Sequence, residues 1–486
     1  MERLFKSEAA LRRIESIRQF LISDKWIAIL FASSLLIGCL SSAFPGKQIE
    51  IYGTVFLAYL TGFAFLFSGD ILTMLTPFMF TYIIAIRCYN SLNTFMEIIW
   101  LAIPLILVII FNLALYGVKP NFKGSQTIPM LFVSVAVLLG GIGFISAKEY
   151  FAGASIYHML GMGFAMVLVY GFFYAKINVN KEYSLIDRIS KLMVIICVLG
   201  TILILMHYIF NIEKAIDKGG IFFIRWRNNL STILMMGMPF AFFKAHKKTS
   251  YIFLGFFFYI GMLFAGSRGG MVFGLIELIM CLVMFFLYDK KRRLAYAIIC
   301  ICISFAALIL MPQVLSFFSN TLERLFKVLN QFLFPVGDPE ELETRVKHYA
   351  RGVEDFFNRP IFGTGLGYMG NRDIFDNKEG SMCWYHCEPI QIAASFGVVG
   401  IVAFIYQFIK RNTLIWKKAT LFNMTIFLSY ISLEMMSLVN PGILCPVPYL
   451  MLITLFLVIV EKCNEGETQE KIPILHVIRH KIKKRK

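Results

Sequence analysis

The chain has 486 residues, 58% of them hydrophobic and 16% charged, with a mean hydropathy of +0.71. A soluble protein of that length cannot hide so much apolar surface, so the composition excludes an ordinary water-soluble fold and makes lipid the main solvent. The formal net charge of +17 would suit a nucleic-acid binder, but the placement of the charges excludes that reading.

In chain order, Met1–Lys25 is a charged amphipathic segment expected on the cytoplasmic side, with no cleavable signal peptide evident. Apolar runs open with Trp26–Phe44, Ile49–Phe67, Ile71–Ile86 and Thr94–Tyr116. They continue through Thr127–Ser146, Phe151–Ala175, Lys191–Phe210, Asn228–Phe243, Ser250–Gly266, Gly270–Tyr288 and Leu294–Met311. A long polar excursion, residues 312–388, interrupts the series before Pro389–Phe408, Lys418–Leu438 and Ile443–Val460. A basic tail, residues 461–486, closes the chain. The pattern predicts an all-α polytopic integral membrane protein forming a single domain over residues 1–486. Its transmembrane helices number about 14, or about 12 at the lowest, given the roughly 17–25 residues each that a bilayer demands. One large extracytoplasmic loop, with helices of its own, is the expected place for chemistry.

With the N-terminus inside, alternate connections hold most of the Lys and Arg: Lys119 and Lys123, then Lys176, Lys181, Arg188 and Lys191, then Lys244, Lys247 and Lys248. Lys290 to Arg293, then Lys410, Arg411, Lys417 and Lys418, and the tail from Lys462 follow the same alternation. This is the positive-inside bias, which puts both termini in the cytoplasm and does not indicate DNA or RNA. The tail reads as a topology signal or as a strip lying on an anionic inner leaflet.

Some suggestive patterns have plainer readings. Gly363-Thr-Gly365-Leu-Gly367 lacks the spacing of a dinucleotide fingerprint and follows Arg359-Pro360, so it reads as a tight turn. Cys383 and Cys387 flank His386 without a fourth ligand at metal-site spacing, leaving a disulfide or two free thiols. Ionisable residues inside the spans are few: Glu97, His158, His207, Glu277 and Glu434. Each is a functional candidate because charge in hydrocarbon is costly, although Glu277 also fits a buried neutral acid. Glu434 belongs near the outer end of its span, and with Glu388 it is a secondary candidate at the loop's rim.

The informative charges disobey the inside bias. Arg225 and Arg227 precede the span opening Asn228-Asn229, Arg268 sits in the turn Gly266-Ser267-Arg268-Gly269-Gly270, and Arg345 and Arg351 lie on a predicted helix Glu341–Phe357. A guanidinium is a permanently charged planar fork that matches phosphate oxygens in pairs, so arginines gathered at one membrane face suit a lipid-linked phosphate or diphosphate. Arg351, Arg359 and Arg372 read instead as solvated or paired with the loop's acids. His386, at the mouth of the span beginning Pro389, is placed to act as a general base.

Arg345-Val-Lys-His-Tyr-Ala-Arg-Gly-Val-Glu-Asp-Phe-Phe-Asn-Arg-Pro-Ile-Phe-Gly-Thr-Gly-Leu-Gly-Tyr368 resembles the long-loop signature of the O-antigen ligase and Wzy-type polymerase superfamily. His386-Cys-Glu-Pro-Ile-Gln391, running on to Gly397-Val-Val-Gly400, is similar to that superfamily's His-Asn…Leu-Gln…Gly-x-x-Gly element, with Cys387 where Asn is usual. Ser267-Arg268-Gly269 resembles its Ser-Arg-Gly turn, and Arg227-Asn-Asn-Leu-Ser with Pro239 its Asn-rich span opening; the arginine carries over to Arg225 or Arg227.

The resemblance implies a glycosyltransferase of the bacterial cytoplasmic membrane that uses undecaprenyl-diphosphate-linked glycan on the outer face, with no cofactor and no metal requirement. In it His386 and Arg268 would be catalytic, while Arg225 or Arg227, Arg268 and Arg345 would hold the lipid diphosphate. A polymerase joins lipid-linked repeat units; a ligase transfers a finished O-antigen glycan to a lipid A core or other acceptor in lipopolysaccharide assembly. The span count favours the O-antigen or capsule polymerase, with a flippase and a chain-length regulator as expected partners. A flippase or other transporter is the reading from another class, but transporters show paired halves and mid-membrane charge, and this chain shows one asymmetric outer loop.

Overall fold

A computed structural model describes residues 7–45, 48–88, 99–117, 119–141, 159–177, 185–217, 227–289, 292–317, 344–366, 384–440 and 446–465, with a few single positions between them. Among these residues every regular element is a helix. Five helices among the described residues are long and apolar enough to cross a membrane, and six shorter apolar helices accompany them there.

The chain divides into two compact units. The first holds α1 (Glu8–Ile22), α2 (Asp24–Ala43), α3 (Ile49–Phe67), α4 (Ile71–Ala85), α5 (Ala102–Tyr116), α8 (Leu185–Phe210), α9 (Ile212–Asp217), α10 (Arg227–Ala245) and α11 (Ile252–Ala265). The second holds α6 (Thr127–Gly141), α7 (Met166–Lys176), α12 (Arg268–Tyr288), α13 (Arg293–Phe317), α14 (Thr344–Asn358), α15 (Glu388–Trp416), α16 (Leu421–Ser437) and α17 (Met451–Glu465).

Helix starts follow local chemistry. The Asp70 carboxylate accepts from the Thr73 amide at 2.9 Å to open α4, and Thr420 accepts from the Asn423 amide at 3.1 Å to open α16. In the first unit α8 is central, packing on α2, α4, α10 and α11. Small residues allow that approach: a Cβ on Gly237 would lie 2.0 Å from Cys197 Sγ, and one on Gly261 2.8 Å from Thr201. Helix α10 is buried without interruption from Leu230 to Phe243, as a core helix that is apolar all round must be. Helices α5 and α13 instead expose Ile106, Leu107, Ile110, Ile301, Phe305 and Leu308, a face that only lipid would cover.

Ion pairs mark one end of the first unit. Asp24 pairs with Lys191, Asp70 with Arg188 and Asp187 with Lys244, which joins the starts of α2, α4 and α8 to the end of α10. In the second unit, the Glu461 carboxylate accepts from the Tyr170 hydroxyl and the Ser125 amide, both at 2.7 Å.

Of the long loop, α14 and the segments 359–366 and 384–388 are described; its other residues, and those of the tail beyond 465, lie outside the described residues. The span predicted over Phe151–Ala175 is described mainly from residue 159 onward. The last predicted spans appear as α15, α16 and α17. Helix α15 continues to Trp416, well past the expected Phe408, and is broken at Gly397, where φ is 63° and ψ −158°.

Candidate functional site

The Gly-rich turn is what breaks α15 and holds the loop to it. The Thr364 and Gly365 amides donate to the Ala394 and Ser395 carbonyls at 2.8 and 3.1 Å. The Val398 and Val399 amides donate to the Pro360 and Ile361 carbonyls at 2.7 and 3.2 Å. A break inside a membrane helix strands amides and carbonyls on both sides, and the turn satisfies them. Only glycine fits at the junction. A Cβ on Gly397 would stand 2.4 Å from the Ile361 carbonyl oxygen, and one on Gly363 (φ 75°) 2.3 Å from the Ser395 carbonyl carbon.

This junction carries α14 onto the first half of α15. A Cβ on Gly352 of α14 would lie 2.4 Å from Ile390 and 2.9 Å from the Tyr385 ring. Behind that contact Asp355, fully buried, accepts from the Tyr385 hydroxyl at 2.6 Å and pairs with Arg351 at 3.1 Å. Burial raises the Asp355 pKa above the ordinary aspartate range, although the Tyr385 hydrogen bond and the Arg351 charge oppose it. The Tyr385 amide donates to Gln391 Oε1 at 2.9 Å, and Gln391 Nε2 donates to Ser395 Oγ at 3.0 Å. Both neighbours of His386 in the chain are therefore held, one by this network and one by the start of α15.

His386 itself has φ 58°, in the left-handed region that few residues other than glycine adopt, Asn, Asp and His more readily than the rest. Strain of this kind, on the order of 1–3 kcal/mol, persists where surrounding contacts impose it. Its half-buried ring stacks on the buried His348 ring, with centroids 5.6 Å apart and planes 14° from parallel. Cys387 is a free thiol whose pKa is raised by burial, as suits an inert group.

Glu388 opens α15 and is 4% exposed. It lines a groove of about 240 Å³ with Pro389, Ile392, Phe404, Arg411 and Glu434, so the two secondary acids of the sequence reading come together. Arg411 corrects an expectation. The positive-inside pattern places it among the inner-loop cations, but it is 2% exposed within α15, with Nη2 3.4 Å from Glu434 and its guanidinium 4.8 Å over the Tyr430 ring.

In the first unit Arg227 begins α10 and is half-buried. The next residue, Asn228, accepts from the buried Ser267 hydroxyl at 2.8 Å. Gly266 (φ 71°) ends α11 and Arg268 begins α12, so Gly266 and Ser267 are the two-residue joint and the Ser-Arg-Gly motif runs from it into the first turn of α12. Arg345 stands in the first turn of α14; its side chain, and Arg225 altogether, lie outside the described residues. Arg351 is paired with Glu354 and Asp355, and Arg359 is exposed, as the sequence reading expected; Arg372 lies outside the described residues.

Sequence reasoning missed His348, Asp355 and Tyr385. A helical projection of 344–358 places His348, Arg351 and Asp355 on one face, and that periodicity was the available signal.

Residues 252–405 match the profile of the family described as O-antigen ligase. The matched stretch includes Arg268, α14, the Gly-rich turn, His386 and the break in α15, and it bears out the superfamily resemblance. No curated protein matches the chain.

Proposed function

We propose, from the O-antigen ligase domain at residues 252–405, that this protein is a membrane glycosyltransferase polymerising undecaprenyl-diphosphate-linked repeat units into O-antigen or capsular polysaccharide. The observation that carries the reading is His386: an imidazole held in a left-handed backbone conformation, stacked on a second imidazole and braced by Tyr385, Asp355 and Gln391. In one displacement, an acceptor hydroxyl oxygen bonds to the anomeric carbon as the bond from that carbon to the diphosphate oxygen breaks. His386 takes the hydroxyl proton, and undecaprenyl diphosphate leaves with the bonding electron pair. The anomeric configuration inverts.

Arg268 and Arg227 or Arg225 stabilise the departing diphosphate, and Arg345 orients it. The Ser267–Asn228 bond supports this assignment, since Arg227 precedes one partner and Arg268 follows the other. Glu388 and Glu434 act beside the acceptor. The chain crosses the cytoplasmic membrane about 14 times with both termini inside. Residues 312–388 lie outside, and a flippase and a chain-length regulator serve the same glycan. The alternative within the family is a ligase that transfers the finished glycan to a lipid A core.

The test is polymer formation in vitro from a lipid-linked repeat unit, with a chelator present, comparing wild type and His386→Ala. Proton removal by a positioned base contributes typically about 10²–10⁴-fold, so the variant should lose activity on that scale while still binding the lipid diphosphate. Equal product from both proteins removes His386 from the mechanism.

A further inference from the structure

The groove that begins at Glu388 contains more charge than the transfer step needs. In a straight helix Glu388 and Arg411 would stand about 35 Å apart at 1.5 Å per residue. They line one groove because α15 breaks at Gly397, and both of its halves contribute wall: Ile392 from the first, Phe404 and Phe408 from the second.

Glu434 closes the floor from α16. Counted from the connection between α15 and α16, the Cα of Glu434 is about 12 Å further along the bundle than that of Arg411. The two side chains reach toward each other and meet between the two helices. A buried arginine there is costly unless its five N–H donors are used. Nη2 faces Glu434 at 3.4 Å, while Nε and Nη1 are buried with no hydrogen-bond partner among the described residues.

We propose that this groove is a sugar-binding subsite that receives a ring of the acceptor glycan; the assignment to the acceptor rests on the glycosyltransferase reading. A ligand here must supply acceptors to Arg411 and donors to Glu388 and Glu434. Two carboxylates against one guanidinium leave the groove net negative, which repels an anion, and a cation offers no acceptor to the Arg411 donors. A ring bearing several hydroxyls supplies both roles at once, and its apolar face lies against Phe404 and Ile392. The volume, about 240 Å³, fits a monosaccharide rather than a whole repeat unit. Glu388 is two residues from His386, so a sugar in the groove presents its next hydroxyl on the side of the base.

The experiment is saturation-transfer NMR on the full-length protein in lipid nanodiscs, with the methyl glycosides of glucose, galactose, mannose and rhamnose as probes. Wild type should transfer saturation to at least one glycoside. The signal should fall about tenfold in Glu434→Gln, which loses a charged acceptor. It should fall as far in Leu438→Trp, which fills the groove from a half-exposed wall position without altering the charges. Equal signals in all three proteins, silence in wild type, or displacement by inorganic diphosphate would each overturn the proposal. Binding does not depend on turnover, so an inactive wild type that still binds glycosides refutes the transferase reading alone.

Discussion

Replacing Gly397 with Ala tests whether the broken helix organises the site. An alanine at φ 63° costs on the order of 1–3 kcal/mol in backbone strain. Its Cβ would also stand 2.4 Å from the Ile361 and 2.6 Å from the Pro360 carbonyl oxygens, and backbone atoms cannot move aside as a side chain can. The turn must then withdraw, giving up the four hydrogen bonds that Thr364, Gly365, Val398 and Val399 make across the break. At about 0.5–1.5 kcal/mol net for each bond, the total loss is roughly 3–9 kcal/mol. That is enough to free α14 from α15 and dissolve the His348–His386 stack. Hydrogen exchange should show the amides of 364, 365, 398 and 399 losing protection together, and glycan transfer should fall with them. Retained protection and activity in Gly397→Ala would refute the reasoning.

Arg268→Lys keeps the charge but not the planar fork, so transfer should fall by at least about tenfold, and full activity in that variant would reduce Arg268 to a topology anchor. Burial holds the folded-state pKa of Asp355 above its ordinary value, so the stability linked to this group is greatest at acid pH and is lost as pH rises through the raised value. Asp355→Asn should remove that slope from a melting profile between the ordinary aspartate range and neutrality, since an uncharged acceptor still meets Tyr385. Asp355→Ala leaves the half-buried Arg351 with Glu354 alone and the buried Tyr385 hydroxyl without its acceptor, and should cost about 1–3 kcal/mol of stability. A cysteine placed at Asp338 should react with an impermeant thiol reagent on intact cells; protection there, with labelling near Lys291, would reverse the topology.

The helical membrane architecture was legible because lipid leaves so little choice: once composition demands a bilayer, apolar runs of sufficient length must be helices. The glycines of Gly363-Thr-Gly365 and Gly397-Val-Val-Gly400 were legible as motifs, but not as partners. Nothing in a one-dimensional reading says that Pro360 and Ile361 in the loop supply the carbonyls for the amides of Val398 and Val399. The Asp355–Tyr385 bond has the same character, since its two residues are 30 apart in the chain. His348 was closer to hand. Its helix turns it to the face that carries Asp355, three residues before Arg351.

Arg411 shows where a good rule misleads. Lys410 and Arg411 together look like one more cytoplasmic charge pair, and the positive-inside bias absorbs both without remainder. Adjacent helical residues, however, point about 100° apart. Lys410 extends over the Tyr406 ring, while Arg411 turns inward to Tyr430 and Glu434. A positional count cannot separate two such neighbours; a helical face can. Glu434 supplies the missing hint, because an acid placed in an apolar span needs a cation, and the neighbouring antiparallel span offers one. Reading intramembrane acids and helix-end arginines as pairs, before assigning the arginines to topology, would have pointed from the sequence to the groove that Glu388 opens.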